Sequence, residues 1–515
     1  MCAAMPKLRG MRRPFASSVG VTCAAALALP LAPSAVAADA GRTAPAATRA
    51  AVTTGAGTPG STQSLPLRPL DPERASDAAT FGLAPRSVRH FSLVGVVWDD
   101  PDAELHGRVQ VRVRAADTGA WSGWQDVETH NADHAADPGT AERASGRVRG
   151  ATAPLWVGAS DGVEIRVRAE TGPDAEPEAG SGPTGSTAGE GAREGSEESA
   201  PLLPSGMRLE LVDPGEDAPP EDSPAGSPAE SSGGLSEESS EENTGRNPVD
   251  GSTGPAAEAP RTGVMSAGAA AASAANAPLV PLGATGIPAL TRAETEEEYH
   301  VLRGTEAAGQ RADPHIGPRP GIVTRSGWGA DESLREKEFV YTDKVGAAFV
   351  HHSASGNTYT CAEAPSVIRG IYRYHTASMG WRDIGYNFLV DKCGKIYEGR
   401  AGGVAAPVMG AHTLGFNSGT MGVAVLGTFD TTGPPAAAVT GVAQLTAWKL
   451  GLHGMDPSAK TYLTSDGGNL YAKGTKVRLN VISGHRDGFN TVCPGGKLYG
   501  ELGTVRSAAA GYQGR

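Results

Sequence analysis

Two long stretches of this chain have almost nothing to bury. Residues 171–202 and 215–278 are dominated by Gly, Ser, Pro, Glu and Ala, with runs such as SEESSEEN at 236–243. Segments this polar cannot offset the entropy lost on ordering a backbone, so both are expected to be disordered. They divide the 515 residues into blocks, and a chain this long exceeds one hydrophobic core in any case. Aromatics make up only 5% of the residues, against 70 Gly and 38 Pro, which fits modest cores joined by long connectors. The division reads as a targeting segment at 1–37, a flexible lead-in at 38–85 and a small all-β domain at 86–214 interrupted by 171–202. An acidic linker at 215–318 and a C-terminal domain at 319–515 follow.

The targeting segment combines Lys7, Arg9, Arg12 and Arg13 with an Ala-rich apolar stretch from Ser17 to Leu31 and a small-residue cleavage site ending at Ala37. Its length and its Pro30 and Pro33 argue against a membrane span. RRPF at 12–15 also resembles a twin-arginine signal, so export is expected by either route. Export makes the cysteine count informative. Cys2 and Cys23 leave with the signal, and Cys361, Cys393 and Cys493 remain. An odd number outside the cell gives one thiol a separate task. Cys361 and Cys393 can bridge, closing a loop worth about 3–4 kcal/mol in the chain-entropy model. Cys493 is then free, either as a buried reduced thiol or as a metal ligand, and the second suits an oxidising compartment better.

Residues 86–170 read as short strands. FSLVGVVW (91–98), GRVQVRVRA (107–115), WSGWQDVE (121–128), PLWVG (154–158) and GVEIRVRAE (162–170) are separated by turn residues, and MRLELVDPG (207–215) supplies a last strand. Trp98, Trp121, Trp124 and Trp156 fall here. Core packing is the first expectation for them, stacking on sugar rings the second. The whole chain carries a formal charge of −12, yet residues 319–515 hold 20 Lys and Arg against 14 Asp and Glu. A basic domain within an acidic protein suits an anionic polymer, although an excess this small is also unremarkable.

The C-terminal domain has α/β texture, with a central sheet flanked by helices. VGAAFVHH (345–352) is a strand buried on both faces. YNFLVD (386–391) and KIYEGR (395–400) form a hairpin turning at Cys393-Gly394, and GVAVLGTF (422–429) and RLNVISGH (478–485) are further strands. APSVIRGIYRYHTAS (364–378) and AVTGVAQLTAWKLGLHG (438–454) are helices, and Pro494 opens a third in its first turn. His351 and His485 each end a strand, and Cys493 precedes a helix whose N-terminus favours a thiolate. Two imidazoles and one thiolate form a zinc set with one tetrahedral position open, the mark of a catalytic rather than a structural site.

AAFVHHSAS, YHTASMGWRDIGYNFLVDKCGKIYEGR, GAHTLGFNSGTMGVAVLGTF and SGHRDGFNTVCPG, in this order across about 319–505, resemble the peptidoglycan recognition protein family. Its catalytic members are zinc-dependent N-acetylmuramoyl-L-alanine amidases akin to phage amidase-type lysozymes. The resemblance implies a mixed sheet flanked by helices, zinc held by His351, His485 and Cys493, a catalytic Tyr386, and Thr491 at the position that holds Thr or Lys in active members. It also implies a Cys361–Cys393 disulfide. Trp381, Arg400, His412 and Asn417 are candidates for lining a sugar–peptide groove, with packing as the other reading of Trp381 and His412. Arg400 and His412 are separated by AGGVAAPVMGA, longer than in many animal members, so no stem-peptide preference carries over. No Asp or Glu in these motifs stands out as a general base.

The function expected is therefore hydrolysis of the amide between the muramic acid lactyl group and L-alanine by a secreted or wall-associated monomer. Its partner is bacterial peptidoglycan, with no nucleic acid and no membrane span. Two other classes fit the same residues. One is a non-catalytic peptidoglycan receptor, which typically lacks the third ligand. The other is a wall-attached adhesion or scaffold protein that works through the β domain.

Overall fold

A computed structural model of the chain describes residues 59–70, 80–129, 131–169, 203–216, 265–303 and 315–515. Residues 1–37, expected to be a targeting segment, the insertion expected at 171–202 and most of the acidic runs lie outside the described residues.

The N-terminal block is antiparallel throughout. Its strands are β1 (Ser61–Pro66), β2 (Arg68–Pro69), β3 (Thr80–Trp98), β4 (Gly107–Ala115), β5 (Gln125–Val127), β6 (Gly150–Ala151), β7 (Leu155–Ala169) and β8 (Arg208–Asp213). They pair in the order β1-β8-β3-β7-β4-β5, with β2 and β6 added along β3. The alternation in β4 sets its two faces: Val109, Val111 and Val113 are buried, while Arg108, Arg112 and Arg114 point outward. Trp98 and Trp156 are core residues. Trp121 is exposed and Trp124 half-buried, with Arg112 lying over both rings and Arg166 over Trp124. The domain starts earlier than residue 86, since β1 pairs along its full length with β8. Its sequence, STQSLP, has no apolar alternation to announce it.

The C-terminal block has a seven-stranded mixed sheet and, apart from it, the hairpin β15 (Lys460–Thr464) and β16 (Lys476–Asn480). The sheet runs β17 (Ile482–Gly484), β11 (Ala347–His352), β14 (Thr420–Val425), β12 (Phe388–Val390), β13 (Ile396–Glu398), β10 (Ile322–Val323) and β9 (Gly286–Ile287). Strands β17, β11, β14 and β12 are mutually parallel, and β13 returns antiparallel to β12 as the hairpin reading requires. The period of two separates two cores. Ala348, Val350, Val423 and Val425 pack against α4 (Ala436–Leu452) and α6 (Leu502–Tyr512). Leu389, Ala424 and Leu426 face α3 (Ala364–Arg373), which a π turn at Tyr374–Ser378 prolongs. The expected helix after Pro494 begins at Gly496 (α5, Gly496–Gly500), so the proline stands ahead of the cap rather than in the first turn. Cys361 and Cys393 form a disulfide with Cα atoms 6.2 Å apart, and Cys493 is free and buried.

Two expectations about organisation fail. The stretch read as linker contains α1 (Ala267–Ala274) and α2 (Arg292–Arg303) as well as β9, which completes the sheet edge against β10. Asn276 donates two 3.0 Å hydrogen bonds to the buried Glu398 carboxylate and accepts from the Val404 N–H. These elements are short, Ala-rich or highly charged, so no apolar stripe marked them. A readable signal was the capping box of Thr291 and Glu294, whose side chains each bond the other's backbone N–H.

The blocks also do not fold apart. The described residues of both blocks group as one compact unit. Leu93, Val97, Trp156 and Val212 of the β domain share a core with Val367, Ile368, Ile371 and Tyr374. The Tyr374 hydroxyl donates to the carbonyls of Val96 and Thr152, and a Cβ at Gly95 would sit 2.3 Å from that hydroxyl, so only glycine fits there.

One buried cation organises the base of the C-terminal block. Arg325 pairs with Glu332 at 2.7 Å and Asp383 at 3.2 Å, and its N–H donates to Glu398 at 3.1 Å. Removing it takes the charge partner from buried Asp383 and leaves Glu332 to Arg335 alone. Arg325→Ala is expected to destabilise the protein by about 3–5 kcal/mol, read as a lower urea midpoint. An unchanged midpoint would show the network to be dispensable.

Candidate metal centre

Strand pairing sets the geometry of the site. In the parallel β11–β17 pair Val350 lies opposite Gly484, so the following residues, His351 and His485, leave adjacent strands at the same end. Their ring centroids are 4.5 Å apart. The loop after His485 folds back, with the Arg486 N–H bonded to the Cys493 carbonyl at 3.1 Å. That contact brings the Cys493 sulfur to 3.8 Å from His351 Nδ1. His352, the second member of the pair, turns elsewhere and accepts from the Phe429 N–H.

A fourth donor was not anticipated. His134, from the β-domain loop that follows β5, places Nε2 3.8 Å from the Cys493 sulfur. Its ring lies 4.5 Å from His485 and 5.2 Å from His351. The donor atoms of His134, His351, His485 and Cys493 all lie within 4.8 Å of one another, and all four residues are buried. Donors around a tetrahedral ion would be separated by about 3.5 Å, so a small contraction suffices. Both ring nitrogens of His485 are buried without a hydrogen-bond partner, Nδ1 lying 3.5 Å from Asp133 Oδ2, which leaves the ring able to coordinate. The residues therefore fit a metal. His134, contributed by the β domain, stands with the three expected donors in a set that could hold a metal.

The surroundings orient the donors. His351 Nε2 lies 3.3 Å from His412 Nδ1 and 3.4 Å from the Thr413 hydroxyl, which leaves Nδ1 for the centre. His134 Nδ1 lies 3.0 Å from Asp133 Oδ1, an arrangement typical of metal-binding histidines. Burial holds the His351 and His412 imidazoles well below their ordinary value and His485 down to about 3, so these rings are neutral. Burial would raise the Asp133 carboxyl, but His134 and His485 outweigh it and keep it ionised. The Cys493 thiol departs from expectation. Burial, reinforced by Asp133, pushes it well above its ordinary value, because α5 is a single short turn with little dipole to oppose desolvation. A bound cation reverses this, since a coordinating thiol loses its proton.

The other candidates fall into two groups. Tyr386 lies beside the centre, its ring 5.6 Å from His351 and 5.7 Å from His134. The Thr491 hydroxyl accepts from the Cys493 N–H at 3.1 Å and so shapes the ligand loop. Trp381 is buried against His375, a residue sequence reasoning passed over, whose Nδ1 accepts from the Gly385 N–H just ahead of Tyr386. Arg400 and Asn417 are both engaged by the β-domain loop. Glu142 makes two 2.9 Å bonds to the Arg400 guanidinium. The Asn417 amide donates to the Ala135 carbonyl and to Asp137, each at 2.8 Å. Among the described residues no helix is long and apolar enough to cross a membrane.

Comparison with known proteins matches both blocks. Residues 45–188 match the family "Rv3811 N-terminal galactose-binding domain-like", and residues 341–496 match "N-acetylmuramoyl-L-alanine amidase". Peptidoglycan-recognition protein SC2 of Drosophila simulans is 31% identical over 183 residues, covering 36% of this chain and 85% of its own length. Peptidoglycan recognition protein 1 of Bos indicus is 30% identical, over 35% of this chain and 80% of its own length. Among solved structures, Drosophila PGRP-LB is 26% identical, with a TM-score of 0.29 over 36% of this chain and 92% of its own. The chain belongs, through its C-terminal domain, to the peptidoglycan recognition protein and N-acetylmuramoyl-L-alanine amidase family.

Proposed function

We propose that this protein is an exported, zinc-dependent amidase that hydrolyses the bond between the muramic acid lactyl group and L-alanine of peptidoglycan. The observation that carries this reading is the set His351, His485 and Cys493, assembled within the amidase-family domain with Tyr386 at its edge. When bound there, zinc supplies a water acidified to a pKa near about 7 and polarises the amide carbonyl. The chain's own residues supply the rest. His412 and Thr413 hold the His351 ring in the tautomer that frees Nδ1. Burial, with help from Cys493 and Asp133, keeps the Tyr386 phenol protonated well above its ordinary value. It is therefore a hydrogen-bond donor at every working pH, suited to a developing oxyanion. Thr491 fixes the Cys493 backbone.

A non-catalytic receptor is the second reading, and the four-donor closure favours it, since closed zinc sites are usually structural. Against it, three donors come from one domain and the fourth from a loop 359 residues distant from Cys493.

The decisive measurement is mass spectrometry of soluble muropeptides incubated with the zinc-loaded chain and with its His134→Ala variant. Free stem peptide beginning at L-alanine, and glycan with an intact lactyl group, are expected. New reducing ends without released peptide would identify a glycosidase instead. Cys493→Ser is expected to lose both metal and turnover. Tyr386→Phe should retain zinc and fold while lowering kcat by about 10²- to 10³-fold, as for loss of one oxyanion donor. A Tyr386→Phe variant at full rate would remove that residue from the mechanism.

A further inference from the structure

We propose that the loop of residues 131–149 is an intramolecular plug, which supplies His134 as a fourth ligand to the metal and lays two carboxylates on the groove, so that this conformation is latent. The inference rests on the reading of His351, His485 and Cys493 as the metal ligands. Three contacts carry it, each on a residue that the amidase-family domain would offer to substrate or metal. His134 Nε2 stands among the metal donors. The Asp137 carboxylate accepts from the backbone N–H groups of Gly415 and Asn417, at 2.7 and 3.2 Å, and from the Asn417 side chain. The Glu142 carboxylate grips Arg400 at both ends and also accepts from the Arg382 N–H at 3.2 Å. A ligand that needs the fourth metal position, Asn417 or Arg400 meets all three already engaged.

The way the loop is held suits release. Apart from one short 3-10 turn at Arg143–Ser145, it has no regular structure. Its buried apolar side chains, Ala135, Ala136 and Val148, are small. Hydrogen bonds and ion pairs, Glu142 with Arg400 and Arg147 with Glu336, do most of the holding, and water or an anionic ligand can replace them. The docking of the β domain rests on larger side chains: Leu93, Val97, Trp156 and Val212 pack on α3, in a core to which the loop adds only Ala136 and Val148. The loop can therefore leave while the domains stay joined. A cleft of about 650 Å3, lined by Trp98, Leu105, Asn131, Asp133, Arg486 and Thr491 among others, adjoins the stem of the loop and offers room to move.

Cobalt in place of zinc gives a readout independent of turnover, because its visible absorption reports ligand number and exchange. In the full-length cobalt-loaded protein, acetohydroxamate is expected to leave the spectrum unchanged, as no position is free. In His134→Ala the spectrum should shift on adding hydroxamate, and cobalt affinity should fall about tenfold or more. Muropeptide hydrolysis by the zinc form should rise by about tenfold or more if the open form is a tenth or less of the wild-type population. The double variant Asp137→Asn, Glu142→Gln leaves every metal donor in place, so it tests the plug should His134→Ala fail to fold. It should admit hydroxamate with cobalt affinity nearly intact. A wild-type protein that binds hydroxamate readily, or a His134→Ala protein that loses hydrolysis without gaining hydroxamate binding, overturns the plug. If the hydroxamate results hold but no variant releases stem peptide, the plug stands and the amidase reading falls.

Discussion

The site depends on three residues of parallel pairing. Neighbouring strands lie about 4.8 Å apart, which is close to the separation that two imidazoles need to share one ion. By setting Val350 beside Gly484, the β11–β17 pair brings the rings of His351 and His485 to 4.5 Å without help from any loop. Everything else is an addition to that register: the return of the chain that supplies Cys493, the backing of His351 by His412, and the approach of Tyr386. A slip of one residue would turn one histidine to the opposite face of the sheet and dissolve the set.

Much of this was legible in the sequence because its physical causes are local. The apolar run into His351 announces a doubly buried strand. The odd cysteine count singles out Cys493, and the hairpin around Cys393 follows from its turn. The family resemblance added what spacing alone does not supply, above all Tyr386, whose side chain is indistinguishable in sequence from an ordinary core tyrosine. Asn417 and Arg400 stood out in the sequence only as candidates, and the β-domain loop that engages them did not.

What escaped is long-range or polar. Nothing near His134 marks it as a metal donor, since its partners are hundreds of residues away and its segment, NADHAAD, reads as a solvated loop. The shared core between the β domain and α3 was hidden for the same reason: each side carries an apolar face that could equally have closed on its own domain. The linker elements were missed because Asn276 and Glu398 hold them by hydrogen bonds. The buried Glu142–Arg400 pair belongs with these contacts. Desolvation cancels much of what such a pair gains, and its best-attested use is to fix register, here that of the loop against the groove.

Chain order gives the β domain one more consequence. Synthesis begins at the N-terminus, and domains tend to fold as they emerge. The segment bearing His134 is therefore available long before the strand that ends in His351, and Cys493 arrives within the last 23 residues of the chain. The cover exists before the site that it covers. On the amidase reading proposed above, the chain would then be made without an interval in which a complete centre stands uncovered.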